Sequence, residues 1–218
     1  MNYINQDYIQ DYIQGLLPKG DPLLREMEEY AEKLHIPIIH REVGQFISIL
    51  LRSLNCRSIL EVGTAIGYSA ILFSRAMGKD TRVVTIEREE KMINLAQENI
   101  EKLGLEKDIT IIKGEAGEIL SSLEPPFDCI FLDGAKGHYL DFLPKCLELL
   151  KDNGLLISDN VLFRGMIASD DLVKRRKITI VKRMRKYLDT ISHHPQLKTS
   201  ILPLGDGLAI SLKGGNNN

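Results

Sequence analysis

The stretch Ser58–Ser69, SILEVGTAIGYS, decides the fold. Its first five residues form a short β-rich run, Gly63 follows at once, and a helical pattern opens at Tyr68. A strand that enters a helix through a glycine turn is the start of a βαβ unit. Gly63 permits the tight turn, and Gly67 permits close approach of the backbone to a ligand. Downstream, β-rich runs at Arg82–Glu87, Ile109–Lys113, Phe127–Asp133 and Gly154–Asp159 alternate with helix-like segments beginning near Tyr68, Glu90, Glu115 and His138. The nearly all-apolar runs SILEV, CIFLD and LLISD suit parallel strands covered on both faces.

Both ends of the chain depart from this rhythm. Upstream, Tyr8–Leu17, Leu23–Leu34 and His40–Leu54 repeat apolar residues at helical spacing. Downstream, a long helix is expected over roughly Leu172–Ser192. Two strands then follow, Thr199–Leu204 and Leu208–Leu212, joined by the hairpin-type turn Gly205-Asp206-Gly207. The expected fold is α/β: a Rossmann-like, doubly wound, seven-stranded sheet with extra N-terminal helices and a C-terminal antiparallel hairpin. One domain is expected over 1–218, with helices in 1–56, the α/β core in 57–213 and a disordered tail, GGNNN, in 214–218.

Length and composition narrow the function. A chain of 218 residues with 44% hydrophobic content suits one well-buried core. A formal net charge of −2 gives no overall basic bias, so affinity for nucleic acid must come from a local patch. Cys56, Cys129 and Cys146 form no CxxC pair and sit in or beside apolar runs, which reads as reduced, structural thiols. The N-terminus MNYINQDYIQDYIQ has neither a basic leader nor an apolar stretch, and no apolar run approaches the ~20 residues of a membrane helix. A cytoplasmic protein without a membrane partner is expected.

The glycine turn has an acidic partner. Glu87 ends the second β-rich run, about 20 residues on, where a carboxylate accepts hydrogen bonds from ribose hydroxyls. Position 65 is alanine, so the turn is not the GxGxxG that a pyrophosphate requires. A cofactor without phosphates fits better, and S-adenosylmethionine offers an ammonium that Glu61 would welcome. Gly114-Glu115-Ala116, after the third run, would supply the adenine side of the pocket. The fourth and fifth runs end in Asp133 and in Asp159-Asn160. Two carboxylates and an amide carbonyl make an all-oxygen set that favours a hard cation, Mg²⁺ first, with Mn²⁺ or Ca²⁺ open. Lys136, three residues after Asp133, would point at the same substrate and either take a hydroxyl proton or steady an oxyanion.

Taken together, EVGTAIGYS, Glu87, DGAKGHY and SDNVLFRG resemble the metal-dependent, S-adenosylmethionine-dependent catechol and caffeoyl-CoA O-methyltransferases over nearly the whole chain. The resemblance implies that Asp133, Asp159 and Asn160 hold Mg²⁺ and that Lys136, beside Asp133, is catalytic. It implies a cofactor pocket lined by Ile39, Glu61, Gly63, Gly67, Tyr68, Ser69, Glu87, Glu115, Ala116 and Asp133. Glu115 stands where the family usually has aspartate. HIPII at 35–39, DNVLFRG at 159–165, LPLGDGLAISLK at 202–213 and a basic helix are most similar to the bacterial branch that methylates 5-hydroxyuridine at the tRNA wobble position.

That branch needs a surface for RNA. Lys174–Lys186 contains Lys174, Arg175, Arg176, Lys177, Lys182, Arg183, Arg185 and Lys186 and no acid, whereas the chain up to Glu42 has eight acids and four bases. Ile178, Val181, Met184 and Leu188 form an apolar stripe within the basic segment, so one face packs and the remainder is cationic. Arg164, Lys174, Arg175, Arg176, Lys177, Lys182 and Arg183 are the expected RNA contacts, with the tRNA anticodon region as partner and substrate. The alternative is an O-methyltransferase of small catechol or caffeoyl-CoA-like acceptors; a silent cofactor-binding module would not need the metal set. The apolar face of the first helix suits a homodimer.

Overall fold

The strand runs become a sheet because their side chains alternate between two apolar layers. The computed structural model describes residues 4–18 and 20–214. Strands β1 (Ser58–Val62), β2 (Arg82–Glu87), β3 (Ile109–Lys113), β4 (Phe127–Leu132) and β5 (Leu150–Ser158) are mutually parallel. They are followed by β6 (Leu197–Leu202) and β7 (Leu208–Lys213), with β7 antiparallel to both β5 and β6. The sheet order is β3-β2-β1-β4-β5-β7-β6. On one face Ile59, Val83, Cys129, Phe131 and Ile157 pack under α2 (Pro22–Leu34), α3 (Arg41–Ser53) and α4 (Tyr68–Met77). On the other, Leu60, Val84, Ile130, Leu132 and Leu156 pack under α6 (Ala116–Ser122), α7 (Tyr139–Leu149) and α8 (Ile178–Ser192). Burial on both faces explains why these strands read as continuous apolar runs. The three cysteines are free and buried in this core, and burial pushes the Cys56 thiol up to about 11.

Local chemistry sets the helix boundaries. Asp21 accepts from Leu23 N at 2.8 Å and Pro22 takes the first helical position, which starts α2. The first helix, α1 (Asp7–Leu16), lies outside the two layers with no buried residue; Gln14 of α1 donates to the buried Glu42 of α3 at 2.5 Å. The segment α5 (Glu90–Lys102) covers the β2–β3 side and buries Ile93, Ala96 and Ile100. No helix among the described residues is long and apolar enough to cross a membrane.

Three expectations shift. The basic helix begins at Ile178, not Leu172; short 3-10 turns at Asp170–Leu172 and Arg175–Lys177 precede it. Four consecutive cations at the positive end of a helix dipole, with no capping side chain, disfavour extending it backward. The fifth strand begins at Leu150 because Lys151–Gly154 forms an irregularity: Phe127 pairs with Leu150, yet Cys129 pairs with Leu155. The hairpin's first strand runs Leu197–Leu202, two residues earlier than expected at each end, and Pro203 stops it. Of the tail expected to be disordered, positions 215–218 lie outside the described residues.

The seam between β1 and β4 is the tightest point of the sheet. Asp133 N and Gly134 N both donate to Val62 O, at 3.0 and 2.8 Å. Gly63 has φ 106°, and a Cβ there would lie 2.8 Å from Gly134 N. Gly63→Ala therefore combines a left-handed φ with a backbone clash and is expected to lower the unfolding free energy by about 2–3 kcal/mol. Urea denaturation checks this; an unchanged midpoint would mean that the seam can open without loss.

Candidate active site

Because strand order reverses at β1, a crevice opens beyond the carboxyl ends of β1 and β4. On its β2 side the acids are fixed by hydroxyls and amides. Glu61 is fully buried in mid-strand, and Thr85 of β2 donates to its Oε2 at 2.6 Å, while Thr64 backs up Thr85 at 2.6 Å. Its Oε1 has no hydrogen-bond partner. Burial raises the Glu61 carboxyl to about 7 against the hydroxyls of Ser69 and Thr85, which hold it down. A buried carboxylate with one idle oxygen is built for a cationic or hydrogen-donating ligand.

Glu87 is aimed by backbone. Its Oε2 accepts from Ala65 N at 3.1 Å, inside the glycine turn, and its Oε1 accepts from Arg88 N and Glu89 N. The acid and the turn predicted to share a ligand are thus joined directly. Ile39 is buried beside this layer. Glu115 is exposed and faces Arg88 at 3.3 Å, an ion pair of little energetic weight in solvent, and Ala116 begins α6 next to it.

Two glycine-turn residues have neighbours that the sequence did not indicate. Gly67, at φ 82°, starts α4, and a Cβ there would sit 3.2 Å from the Ala96 Cβ, so the close approach it permits here is to α5. The Tyr68 hydroxyl donates to Glu28 of α2 at 2.5 Å. Its side chain therefore ties α2 to the core, leaving the backbone at the start of α4 to face a ligand.

On the β5 side lie the other predicted acids. Asp159 is buried, its Oδ1 accepts from Asn160 N at 2.6 Å, and its Oδ2 has no partner. Burial and the Asp133 charge push the Asp159 carboxyl well above the usual range; burial does the same to Asp133, opposed by Lys136 and reinforced by Glu61. Lys136, half-buried in the turn Lys136–His138, lies close enough to lower Asp133, Asp159 and Asp206 together. Asn160 follows in left-handed conformation, φ 57°. Among the described residues no group of three His, Cys, Asp or Glu side chains is arranged to hold a metal ion by itself. The donor set is two underprotected carboxylates, one with an idle oxygen, plus the adjoining amide Asn160; that chemistry fits a hard divalent cation and not zinc.

Residues not singled out from sequence complete the crevice. Asp206, read only as part of a turn, accepts from Arg164 N at 2.5 Å and pins the loop after Asn160. That loop holds two further left-handed residues, Phe163 and Arg164, at φ 45° and 57°. His40 lies near both Asp159 and Asp206, and its charge lowers each. A histidine between Ile39 and the third helix carried no motif signal.

The basic segment divides in two. Lys174, Arg175, Arg176, Lys177 and Lys182 are exposed, and none of them makes an ion pair among the described residues; Lys177 Nζ lies 5.8 Å from the Phe163 ring centre. Arg183, expected to face RNA, turns inward instead: it donates to Gly137 O and pairs with Asp141, because the Lys136 turn packs directly against α8. Arg185 likewise binds Ile167 O and Asp170.

A doubly wound sheet with an acid buried in β1, a second at the end of β2 and a third pair beyond β4 and β5 defines a class I S-adenosylmethionine-dependent methyltransferase. The chain belongs to the O-methyltransferase family, whose model matches residues 19–214. It is 28% identical to a catechol O-methyltransferase of Niastella koreensis, covering 94% of this chain and 96% of that one. Among solved structures it is similar to a Staphylococcus aureus protein provisionally described as a caffeoyl-CoA O-methyltransferase: 36% identity, TM-score 0.85, 95% of this chain and 98% of the other. An O-methyltransferase from Bacillus cereus solved with S-adenosylhomocysteine (SAH) superposes with TM-score 0.84 at 26% identity, covering 94% and 97%. The protein is an S-adenosylmethionine-dependent O-methyltransferase.

Two measurements test this electrostatic reading. Glu61→Gln is expected to weaken SAH binding about 10–100-fold, the worth of a charged hydrogen bond; calorimetry giving an unchanged Kd would remove Glu61 from the cofactor site. A carboxyl whose folded pKa is raised destabilises as pH climbs from its unfolded value, near 4, through its folded one. Asp159→Asn is therefore expected to raise the thermal midpoint of chelator-treated protein at pH 8, with the advantage shrinking toward pH 4. A midpoint lowered at pH 8 would contradict it.

Proposed function

We propose that the protein methylates the 5-hydroxyl of 5-hydroxyuridine at the wobble position of tRNA, forming 5-methoxyuridine in the cytoplasm, with Mg²⁺ held by Asp133, Asp159 and Asn160. One observation carries the choice of acceptor: Lys174–Lys177, exposed and without ion pairs among the described residues, lead into α8, whose Arg183 packs on the Lys136 turn, and Lys177 Nζ lies 5.8 Å from the Phe163 ring in the loop after Asn160. A phosphate-bearing acceptor meets charge there at the moment its ring enters the crevice. Arg164, exposed beside Asp206, would meet a nucleotide phosphate.

Asp133, Asp159 and Asn160 would hold the cation, which would supply Lewis acidity to an acceptor hydroxyl; 5-hydroxyuridine offers adjacent oxygens in its 5-hydroxyl and O4. S-adenosylmethionine supplies the methyl group. Glu61 and Glu87 orient the cofactor from the β1–β2 side, with Glu61 Oε1 toward its ammonium and Glu87 toward its ribose. Asp133 and Asp159 hold the acceptor side. Lys136 takes the hydroxyl proton or steadies the oxyanion, worth about 10²–10⁴-fold. Holding both reactants in line supplies the larger share, about 7–11 kcal/mol of barrier.

The names of the relatives favour a second reading, a small-molecule enzyme for catechols or caffeoyl-CoA-like thioesters. A coenzyme A thioester would also use the basic edge, through its own phosphates; a free catechol would not. A homodimer formed through the exposed Tyr8, Tyr12 and Leu16 of α1 accompanies either reading.

The readings separate in one assay set. With tRNA bearing 5-hydroxyuridine, reversing Lys174, Arg175, Arg176 and Lys177 to Glu is expected to cut kcat/KM at least tenfold and to flatten its salt dependence. Turnover of free catechol should stay level. If the reversed enzyme methylates tRNA as fast as wild type, or catechol proves the better acceptor, the tRNA reading falls. Excess EDTA should abolish transfer while SAH still binds; full transfer in EDTA would refute the metal. Lys136→Met is expected to lower kcat about 10²–10⁴-fold without changing the SAH Kd, as single-turnover kinetics would show.

A further inference from the structure

Tyr139 opens α7 three residues after Lys136 and is 1% exposed. Its hydroxyl lies 2.9 Å from Leu132 O and 3.3 Å from Asp159 O. One proton is thus shared between two carbonyls, one immediately before Asp133 and the other belonging to Asp159 itself. Leu132 O also accepts from Asp159 N at 2.9 Å, so the ends of β4 and β5 are cross-linked twice at the level of the two acids. The ring cannot swing away: it stands edge-on to Tyr187 at 5.5 Å, and the Tyr187 hydroxyl is held by Ser158 at 2.6 Å. The same bond staples the Lys136 loop to its own beginning, since Asp133 N is fixed to Val62 O and Tyr139 returns to Leu132 O.

We propose that the Tyr139 hydroxyl is a positioning group that sets the separation of Asp133 and Asp159 and thereby the affinity of the site for a divalent cation. This rests on the metal reading given above. The hydroxyl bonds the backbone carbonyls Leu132 O and Asp159 O; it fixes the backbone from which both carboxylates project, and such outer partners tune affinity by about 10–100-fold.

The test is Mn²⁺ titration by electron paramagnetic resonance of protein purified with SAH. For Tyr139→Phe the Mn²⁺ Kd is expected to rise about 10–100-fold while the SAH Kd stays within about twofold. Tyr187→Phe, which loses the Ser158 bond but keeps the Tyr139 bonds, is expected to lower the thermal midpoint and leave the Mn²⁺ Kd unchanged. An unchanged Mn²⁺ Kd in Tyr139→Phe overturns the proposal. So does equal weakening in both variants, or a Tyr139→Phe protein that will not fold even with SAH present, because the hydroxyl would then be a general core bond. Wild-type protein that binds no Mn²⁺ at all defeats the metal reading itself, an outcome distinct from these.

Discussion

The protein keeps Glu61, Asp133 and Asp159 close together at a strand reversal, with Lys136 as the cation near Asp133 and Asp159. Carboxylates buried without counter-charge cost several kcal/mol each or else take up protons. Burial accordingly pushes all three carboxyls above the usual carboxylate range. Two oxygens, Glu61 Oε1 and Asp159 Oδ2, have no hydrogen-bond partner, and they lie on opposite sides of the seam. A fold optimised for stability would pair them or replace them. Their retention makes sense in a site that takes cationic or hydrogen-donating ligands.

Such a site needs stiff walls, since repelling carboxylates would otherwise spread apart. The β1–β4 seam supplies stiffness through backbone, because Gly63 and Gly134 leave no room for side chains between the two chain ends. Thr85 and Thr64 brace Glu61, backbone amides brace Glu87, and Asp206 braces the loop after Asn160. Strain is concentrated here: Ala65, Ala135, Asn160, Phe163 and Arg164, five of the nine positive-φ non-glycine residues among those described, surround this crevice. Residues outside favoured backbone regions gather at sites where the surrounding structure holds them.

How much of this was legible depended on whether the cause was local. The turn at Gly63, the acids at strand ends and the apolar runs are local signals, and the doubly wound sheet with its appended hairpin followed from them. Asp133 and Asp159 could be placed because strand ends converge by topology. Asp206, His40 and Tyr139 could not be seen, because their significance comes from contacts 42, 119 and 20 residues or so away in sequence, or from no motif at all. The start of α8 was missed for a different reason: apolar spacing marks a face, but the run of like charges that stops the helix acts on the dipole and not on the spacing.

That same run separates two roles which composition alone merges. A count of eight bases in Lys174–Lys186 treats them as one surface. In the fold, Arg183 and Arg185 lie where the helix packs, and their guanidinium groups are spent on Gly137 O, Asp141, Ile167 O and Asp170. The cations ahead of the helix have no such partners among the described residues and are exposed. Arginine suits the first role, since its planar fork satisfies a carbonyl and a carboxylate at once. The exposed set is under no such geometric demand, and mobile cations suffice to neutralise phosphates. The division therefore places a rigid arm against the Lys136 turn and a diffuse positive field just beyond it, on one continuous piece of chain.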